Sequence, residues 1–281
     1  MTEIGITTLL LIIANIFCSI QGLNDYPSFK RFNFDVDQII AKKDYKRLLT
    51  SGFFHVSWLH LFVSIASLFF FSRGLELQLG GFKYGLIYLG SMVGGNLFAL
   101  FIHRNNADYR AAGATGAVTG IIFATIALFP GFQIGILGKL LPIPGWFYGF
   151  LYVLFSIYGV KSKRDNIGHE THLASGIAGI VIALLISPSS FINNYLAILS
   201  VAIPAMFFIF IIINRPGFIL IDNQFFYRQK RKYKIEQILH SEPVDHQHEI
   251  DLILEKIHQH GMESLTKTER DKLNFYSKII Q

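Results

Sequence analysis

A single cysteine, Cys18, in 281 residues excludes any intramolecular disulfide and leaves the redox compartment unmarked. Charge is scarce too: Asp, Glu, Lys and Arg make up 16% of the chain against 52% hydrophobic residues, and mean hydropathy is +0.42. Soluble domains carry about 25% charged residues, so a water-soluble globular class is excluded. No H-E-x-x-H run occurs. His169 and His172 in GHETH are three apart where the H-E-x-x-H zinc pair is four apart, so that metalloprotease motif is absent and neither metal nor cofactor is expected. No basic residue precedes the first apolar run, Ile4 to Ile20, and no small-residue cleavage pattern follows it, so it reads as a retained helix and not a signal peptide. The net charge of +6 gathers in loops and tail, which points to anionic headgroups of the lipid bilayer and not to nucleic acid.

What the chain has is apolar length. A hydrocarbon core ~30 Å thick needs about 20 apolar residues per helix, and seven segments answer to that description: Ile4 to Ile20, Val56 to Phe71, Lys83 to Ile102, Thr115 to Phe129, Trp146 to Val160, His172 to Ile186 and Tyr195 to Ile213. The fourth and sixth are short, 15 residues each and so about 22 Å long. They are expected to start within the bilayer. Irregular backbone survives at that depth only where protein buries it or a wet cavity reaches it, so a water-filled cavity is expected above those two helix starts.

If all seven segments span, the second, fourth and sixth run in one direction and present their N-terminal ends on one side. Those ends carry His55 and His60, Thr115, and His172. Ionisable groups inside a bilayer point to function. A hydroxyl becomes a nucleophile when an adjacent imidazole takes its proton, which makes Thr115 and His172 a candidate dyad. At a helix start, free amides and the positive end of the dipole favour an oxyanion. Gly113 and Gly116 permit a sharp entry there. His60 and Ser64, one turn apart, face the same way and can donate to that oxyanion. His55, read as part of the same helix, falls about 140° away from His60. Gly116 and Gly120 form the small-xxx-small spacing that lets membrane helices pack closely.

These residues resemble the rhomboid intramembrane serine proteases over roughly Tyr45 to Ile186. HVSWLHLFVS, His55 to Ser64, is similar to the family's H-x-x-x-x-H-x-x-x-N. GLELQLGG, with Glu76 and Gly80, stands after that helix. GATG stands where the family has G-x-S-G, and HLASG, His172 to Gly176, where it places its histidine base. YKRLLTSGFFH also resembles the family's approach to the second helix, with Tyr45 where a Trp is common and Arg47 kept. The resemblance implies an all-α polytopic membrane protein: a six-helix core over residues 1–190, one further transmembrane helix over 191–214, and a basic linker with a helical tail over 215–281. It implies cleavage of transmembrane segments by a hydroxyl–His dyad, with His55, His60, Ser64 and Gly113 in the oxyanion region and Glu76, Gly116, Gly120 and Gly176 in structural positions.

Two departures fall on the chemistry: Thr115 replaces the nucleophilic serine and Ser64 replaces the asparagine. A threonine methyl stiffens χ1 and crowds attack, and a misplacement near 1 Å costs about 100-fold. Ser64 offers one O–H where Asn offers an amide NH₂. Thr171 also precedes His172 where alanine is frequent. Two functions therefore stand side by side, an intramembrane endopeptidase acting through Thr115, and a rhomboid-like pseudoprotease that binds membrane-protein clients without cleaving them. The expected setting is a bacterial inner membrane. Lys and Arg in loop one (Lys30, Arg31, Lys42, Lys43, Lys46, Arg47), loop five (Lys161, Lys163, Arg164) and the RQKRKYK tail put the active-site side in the cytoplasm by the positive-inside rule. The bacterial relatives place it outside, so the side stays open. Beyond Asp245, apolar residues at Ile250, Ile253, Leu254 and Ile257 form one helix face ending at Gly261, and Thr266 to Glu269 matches a capping box for a second helix reaching Lys278. That hairpin either lies on the membrane or binds a protein partner.

Overall fold

The computed structural model describes residues 4–136, 141–162, 168–214 and 246–266, with Glu269. Five of its helices are long and apolar enough to cross a membrane: α1 (Ile6–Asn24), α5 (Trp58–Leu79), α6 (Gly81–His103), α9 (His169–Ile186) and α10 (Ser189–Asn214). Two shorter apolar helices, α7 (Thr115–Leu128) and α8 (Gly145–Ser162), complete an all-α polytopic bundle. Large apolar side chains face outward, among them Phe62, Phe82 and Ile192, as lipid contact requires.

The bundle is built around α7. Every one of its residues except Gly116 is buried, and it packs against α5, α6, α8, α9 and α10. Small residues let three backbones meet at its centre. A Cβ added to Gly179 of α9 would stand 2.6 Å from the Cα of Gly120 on α7, and one on Gly116 would stand 2.8 Å from Ser175 Oγ. Gly95 of α6 faces Ser175 and the Thr171 carbonyl in the same way, and Gly176 lies against the Phe123 ring. Without a hydrophobic force between helices in lipid, this close approach is what dispersion packing requires.

Several boundaries differ from the expected ones. The helix carrying His60 begins at Trp58, because the Ser57 hydroxyl caps it by accepting from the His60 amide at 3.2 Å. His55 therefore lies on the extended approach and not on the helix, and the 140° separation does not apply. GLELQL forms the last turns of α5 instead of following it, with Gly80 at φ +79 ending the helix. α9 starts at His169, a turn earlier than expected, and its 18 residues reach about 27 Å. The expected shortness holds for α7, 14 residues and about 21 Å. α10 starts at Ser189 and carries a kink at Asn194, whose amide donates to the Ala127 carbonyl at 2.9 Å and so satisfies the end of α7.

Loop one is folded. It holds α2 (Tyr26–Phe32), β1 (Phe34–Asp35), α3 (Val36–Ala41), α4 (Arg47–Thr50) and a 3₁₀ turn at Ser51–Phe53. Arg47 is buried and donates to the Asn33 carbonyl (2.8 Å), the Lys30 carbonyl (3.0 Å) and Asp44 (3.1 Å), fastening the loop together. β1 pairs antiparallel with β2 (Arg110–Ala111), and Arg110 bonds Asp35 at 2.9 Å. A second pair, β3 (Gln133–Ile136) with β4 (Leu141–Pro144), joins α7 to α8. Neither strand pair was legible as a strand signal, since two or four residues give no alternation.

The chain divides into two compact units, Met1–Ile221 and Asp222–Gln281. In the second, α11 (His246–His260) ends at Gly261, φ +76, and Ile253 and Leu265 are buried. The capping box is present: Thr266 donates its amide to Glu269 at 2.7 Å, and Lys256 bonds the same carboxylate at 2.9 Å. The RQKRKYK segment and the helix expected to reach Lys278 lie outside the described residues.

Gly179→Ala is expected to lower stability by about 1–3 kcal/mol, since its Cβ meets the Gly120 backbone, which cannot move aside. Gly74→Ala, whose Cβ would meet nothing within 4 Å, is expected to be neutral or stabilising; thermal unfolding in detergent checks both. In the tail, the Thr266 amide and then the Lys256 ammonium hold the Glu269 carboxyl down at about 2. A depressed carboxyl stabilises above its unfolded range near 4.3 and loses that contribution as pH falls through its folded value. Protection of the Thr266 amide from hydrogen exchange is therefore expected to fall between about pH 4 and 2.

Candidate functional site

The segment entering α7 has to satisfy its backbone groups before the helix can, and it does so residue by residue. Gly113 has φ +144, a conformation that side chains rarely adopt, and a Cβ there would stand 2.5 Å from His60 Cε1. Its amide donates to the Ser51 carbonyl at 3.1 Å. The Ala114 amide donates to His55 Nε2 at 3.3 Å, and His55 Nδ1 lies 2.7 Å from Ser19 Oγ, which itself donates to the Phe53 carbonyl. An amide can only donate, so His55 accepts at Nε2 and carries its proton at Nδ1. His55 is thereby a buried clasp between α1 and the start of α7.

Thr115 follows as the first helical residue and is 8% exposed. Its Oγ1 lies 2.5 Å from His60 Nε2. Its carbonyl accepts from the Thr119 hydroxyl at 2.6 Å, and Thr119 meets the Tyr152 phenol of α8 at 3.1 Å. His172 is buried at the end of the first turn of α9, and its Nδ1 has no hydrogen-bond partner among the described residues. Its ring contacts His169 at 5.1 Å and Tyr152 at 6.1 Å.

Thr115 and His172 line one cavity of about 20 Å³, with Gly113, Ser51, Asn96 and Gly168 among its walls. That is space for about one water. The structure thus brings Thr115, His172 and Gly113 to one cavity and places His60 on the Thr115 hydroxyl. Ser64 is buried one turn beyond His60, but it does not line the cavity, and its Oγ has no hydrogen-bond partner among the described residues. Glu76 is remote from this site, accepting from the Thr7 amide (2.7 Å), the Thr8 amide (2.9 Å) and the Thr8 hydroxyl (2.6 Å) at the start of α1.

One cluster next to the site was missed in the sequence. Glu170, two residues before His172, accepts from the Tyr109 phenol and lies 2.9 Å from His103 Nε2. The His103 and Tyr109 rings stack at 3.6 Å. Burial, and then the neighbouring carboxylate, push the Tyr109 phenol well above its usual range, so its O–H stays a donor. The three side chains come from the end of α6, the approach to β2 and the first turn of α9, and they fix the turn that presents His172. GHETH shows the carboxylate, but nothing in its spacing indicates partners more than 60 residues away.

A polytopic bundle with a hydroxyl at the buried start of a short helix, facing histidines from two others, defines a membrane protein with a candidate hydroxyl–His centre. The rhomboid domain model matches residues 42–189, more than half of the chain, and the protein belongs to the rhomboid family. Residues 226–279 match a further family, DUF6576, whose description is a family of unknown function. Rhomboid protein 1, mitochondrial, of Saccharomyces cerevisiae is 26% identical over 178 residues, 60% of this chain and 50% of that protein. RHOMBOID-like protein 4 of Arabidopsis thaliana is 25% identical over 193 residues, 58% of this chain and 49% of its own. Inactive RHOMBOID-like protein 8, also of Arabidopsis thaliana, is 32% identical over 81 residues, 29% of this chain and 23% of that protein. The chain spans about half the length of the first two relatives. It is an integral membrane protein, and since one relative is named mitochondrial, family membership does not single out a bacterial inner membrane.

Glu170→Gln is expected to lower stability in detergent by about 1.5–3 kcal/mol, the worth of hydrogen bonds to a charged acceptor. An unchanged unfolding temperature would show that the cluster is ornamental.

Proposed function

We propose that this protein is a rhomboid-type intramembrane endopeptidase that cleaves transmembrane segments of membrane proteins through Thr115 and His172. The observation that carries this reading is the placement of the Thr115 hydroxyl at the buried N-terminus of α7, in one cavity with His172. In the reaction Thr115 Oγ1 attacks the scissile carbonyl while His172 takes its proton, then returns it to the leaving amine. The first amides of α7, which have no intrahelical partner, and the His60 side chain stabilise the oxyanion. A cavity the size of one water suits the hydrolytic step and requires the bundle to open for a substrate helix.

A second reading has its own observation. The Thr115 hydroxyl is engaged by His60 and the Ala114 amide by His55, so both the nucleophile and one adjacent donor are occupied. One relative bears the name inactive. On this reading the fold binds membrane-protein clients without cutting them. The two differ in whether Thr115 can exchange His60 for His172, a step that costs one hydrogen bond to a buried group, about 1–3 kcal/mol.

The test uses purified protein in liposomes with a transmembrane substrate containing a helix-destabilising segment. Slow cleavage is expected from the natural chain, none from Thr115→Ala or His172→Ala, and a rate raised roughly 10- to 100-fold by Thr115→Ser. No product from the natural chain with clear product from Thr115→Ser establishes the second reading.

A further inference from the structure

Arg73 stands in α5 six residues before its end at Leu79, inside a helix long and apolar enough to span the membrane. A helix rises 1.5 Å per residue, so its Cα lies about 9 Å below that end. Its side chain is exposed, and no carboxylate pairs with it among the described residues. Glu76, the nearest acidic residue along α5, turns to α1 and is held there by three donors. A cation at this depth in lipid is expensive unless it pairs or reaches the interface.

Beside Arg73 runs a groove of about 410 Å³ between α5, the start of α1 and the turn before β3. Phe69, Phe70 and Leu77 of α5 and Phe132 make its wall apolar, and Gln133 adds a polar residue to the lining. The volume falls within the range of small-molecule sites. The pairing of one unpaired guanidinium with an apolar wall matches a ligand with an anionic head and a hydrocarbon tail. Guanidinium and phosphate meet through two parallel hydrogen bonds, which an ammonium cannot reproduce.

We infer that this groove binds the phosphodiester headgroup of an anionic phospholipid through Arg73, with an acyl chain laid along Phe69, Phe70 and Leu77. The site lies at the end of α5 opposite to His60, so it is independent of the cavity at Thr115 and of any proteolytic activity.

The experiment follows thermal unfolding of the full chain in a neutral detergent while phosphatidylglycerol is titrated in. Phosphatidylcholine and glycerol 3-phosphate serve as the parallel arms, and native mass spectrometry counts retained lipid. A saturable rise in unfolding temperature with phosphatidylglycerol alone is expected, with apparent affinity weakened roughly tenfold in Arg73→Gln. Arg73→Lys, which keeps the charge but not the fork, is expected to fall between. Arg104→Gln, an exposed cation at the far end of α6, is expected to bind as the natural chain does. Equal shifts with phosphatidylcholine, or an Arg73→Gln protein that binds like the natural one, overturn the inference. The same shift from glycerol 3-phosphate overturns it in favour of a free-phosphate site. Should Arg73→Gln not fold, Arg73→Lys and the lipid count decide: natural protein that retains no phosphatidylglycerol after delipidation overturns it too.

Discussion

A helix that starts below the membrane surface leaves its approach without water, and each amide and carbonyl on that approach then needs a partner from the protein. In this chain that requirement organises the side of the bundle carrying Thr115. Residues 110–111 pair with 34–35 as a two-residue ladder, the Gly113 amide goes to Ser51, and the Ala114 amide goes to His55. Each partner belongs to loop one or to the segment just after it, so loop one has to be a folded element. Arg47 holds it in that state by joining three parts of the loop from a buried position. The glycines of α6, α7 and α9 meet the other half of the requirement, since a short buried helix is stable only if its neighbours close round it.

The same two devices assemble the chemistry. Close approach of α7 and α9 through Gly116, Gly120 and Gly179 sets the separation between the first turns of the two helices, and those turns carry Thr115 and His172. The absence of a side chain at Gly113 lets the His60 ring pass over the chain and reach the hydroxyl. Packing and the placement of these side chains are thus properties of one arrangement.

Much of this was legible in the sequence because hydropathy and small-residue spacing are local signals. Seven apolar segments, the shortness of α7 and the meeting of His60, Thr115 and His172 follow from run lengths and parity. What escaped was decided by partners far along the chain. Ser57 starts α5 and removes His55 from it, yet a serine before an apolar run is also common in loops. The strand pairs are two and four residues long and show no alternation. His103, Tyr109 and Glu170 are unremarkable singly, and their meeting depends on where α6 ends relative to α9, which no periodicity encodes. Ser64 illustrates the opposite error: helical spacing puts it one turn from His60, but a shared face does not bring its hydroxyl to the cavity.

Of the buried carboxylates, Asp35 pairs with Arg110 in the folded loop, while Glu76 and Glu170 clarify how the helices themselves accommodate charge. Glu76 closes the N-terminus of α1, where two amides and a hydroxyl surround it and the helix dipole adds about half a positive charge. Glu170 occupies the first turn of α9, again at the positive end of a helix, with His103 and Tyr109 completing its shell. Neither depends on a lysine or arginine, because backbone amides and dipoles, hydroxyls and the His103 ring satisfy them. Arg73 is the counterpart that this economy leaves over. Its nearest carboxylate along the helix is already satisfied elsewhere, and a guanidinium at that depth draws its complement from outside the chain. A side chain that extends from there to the headgroup layer meets lipid phosphate.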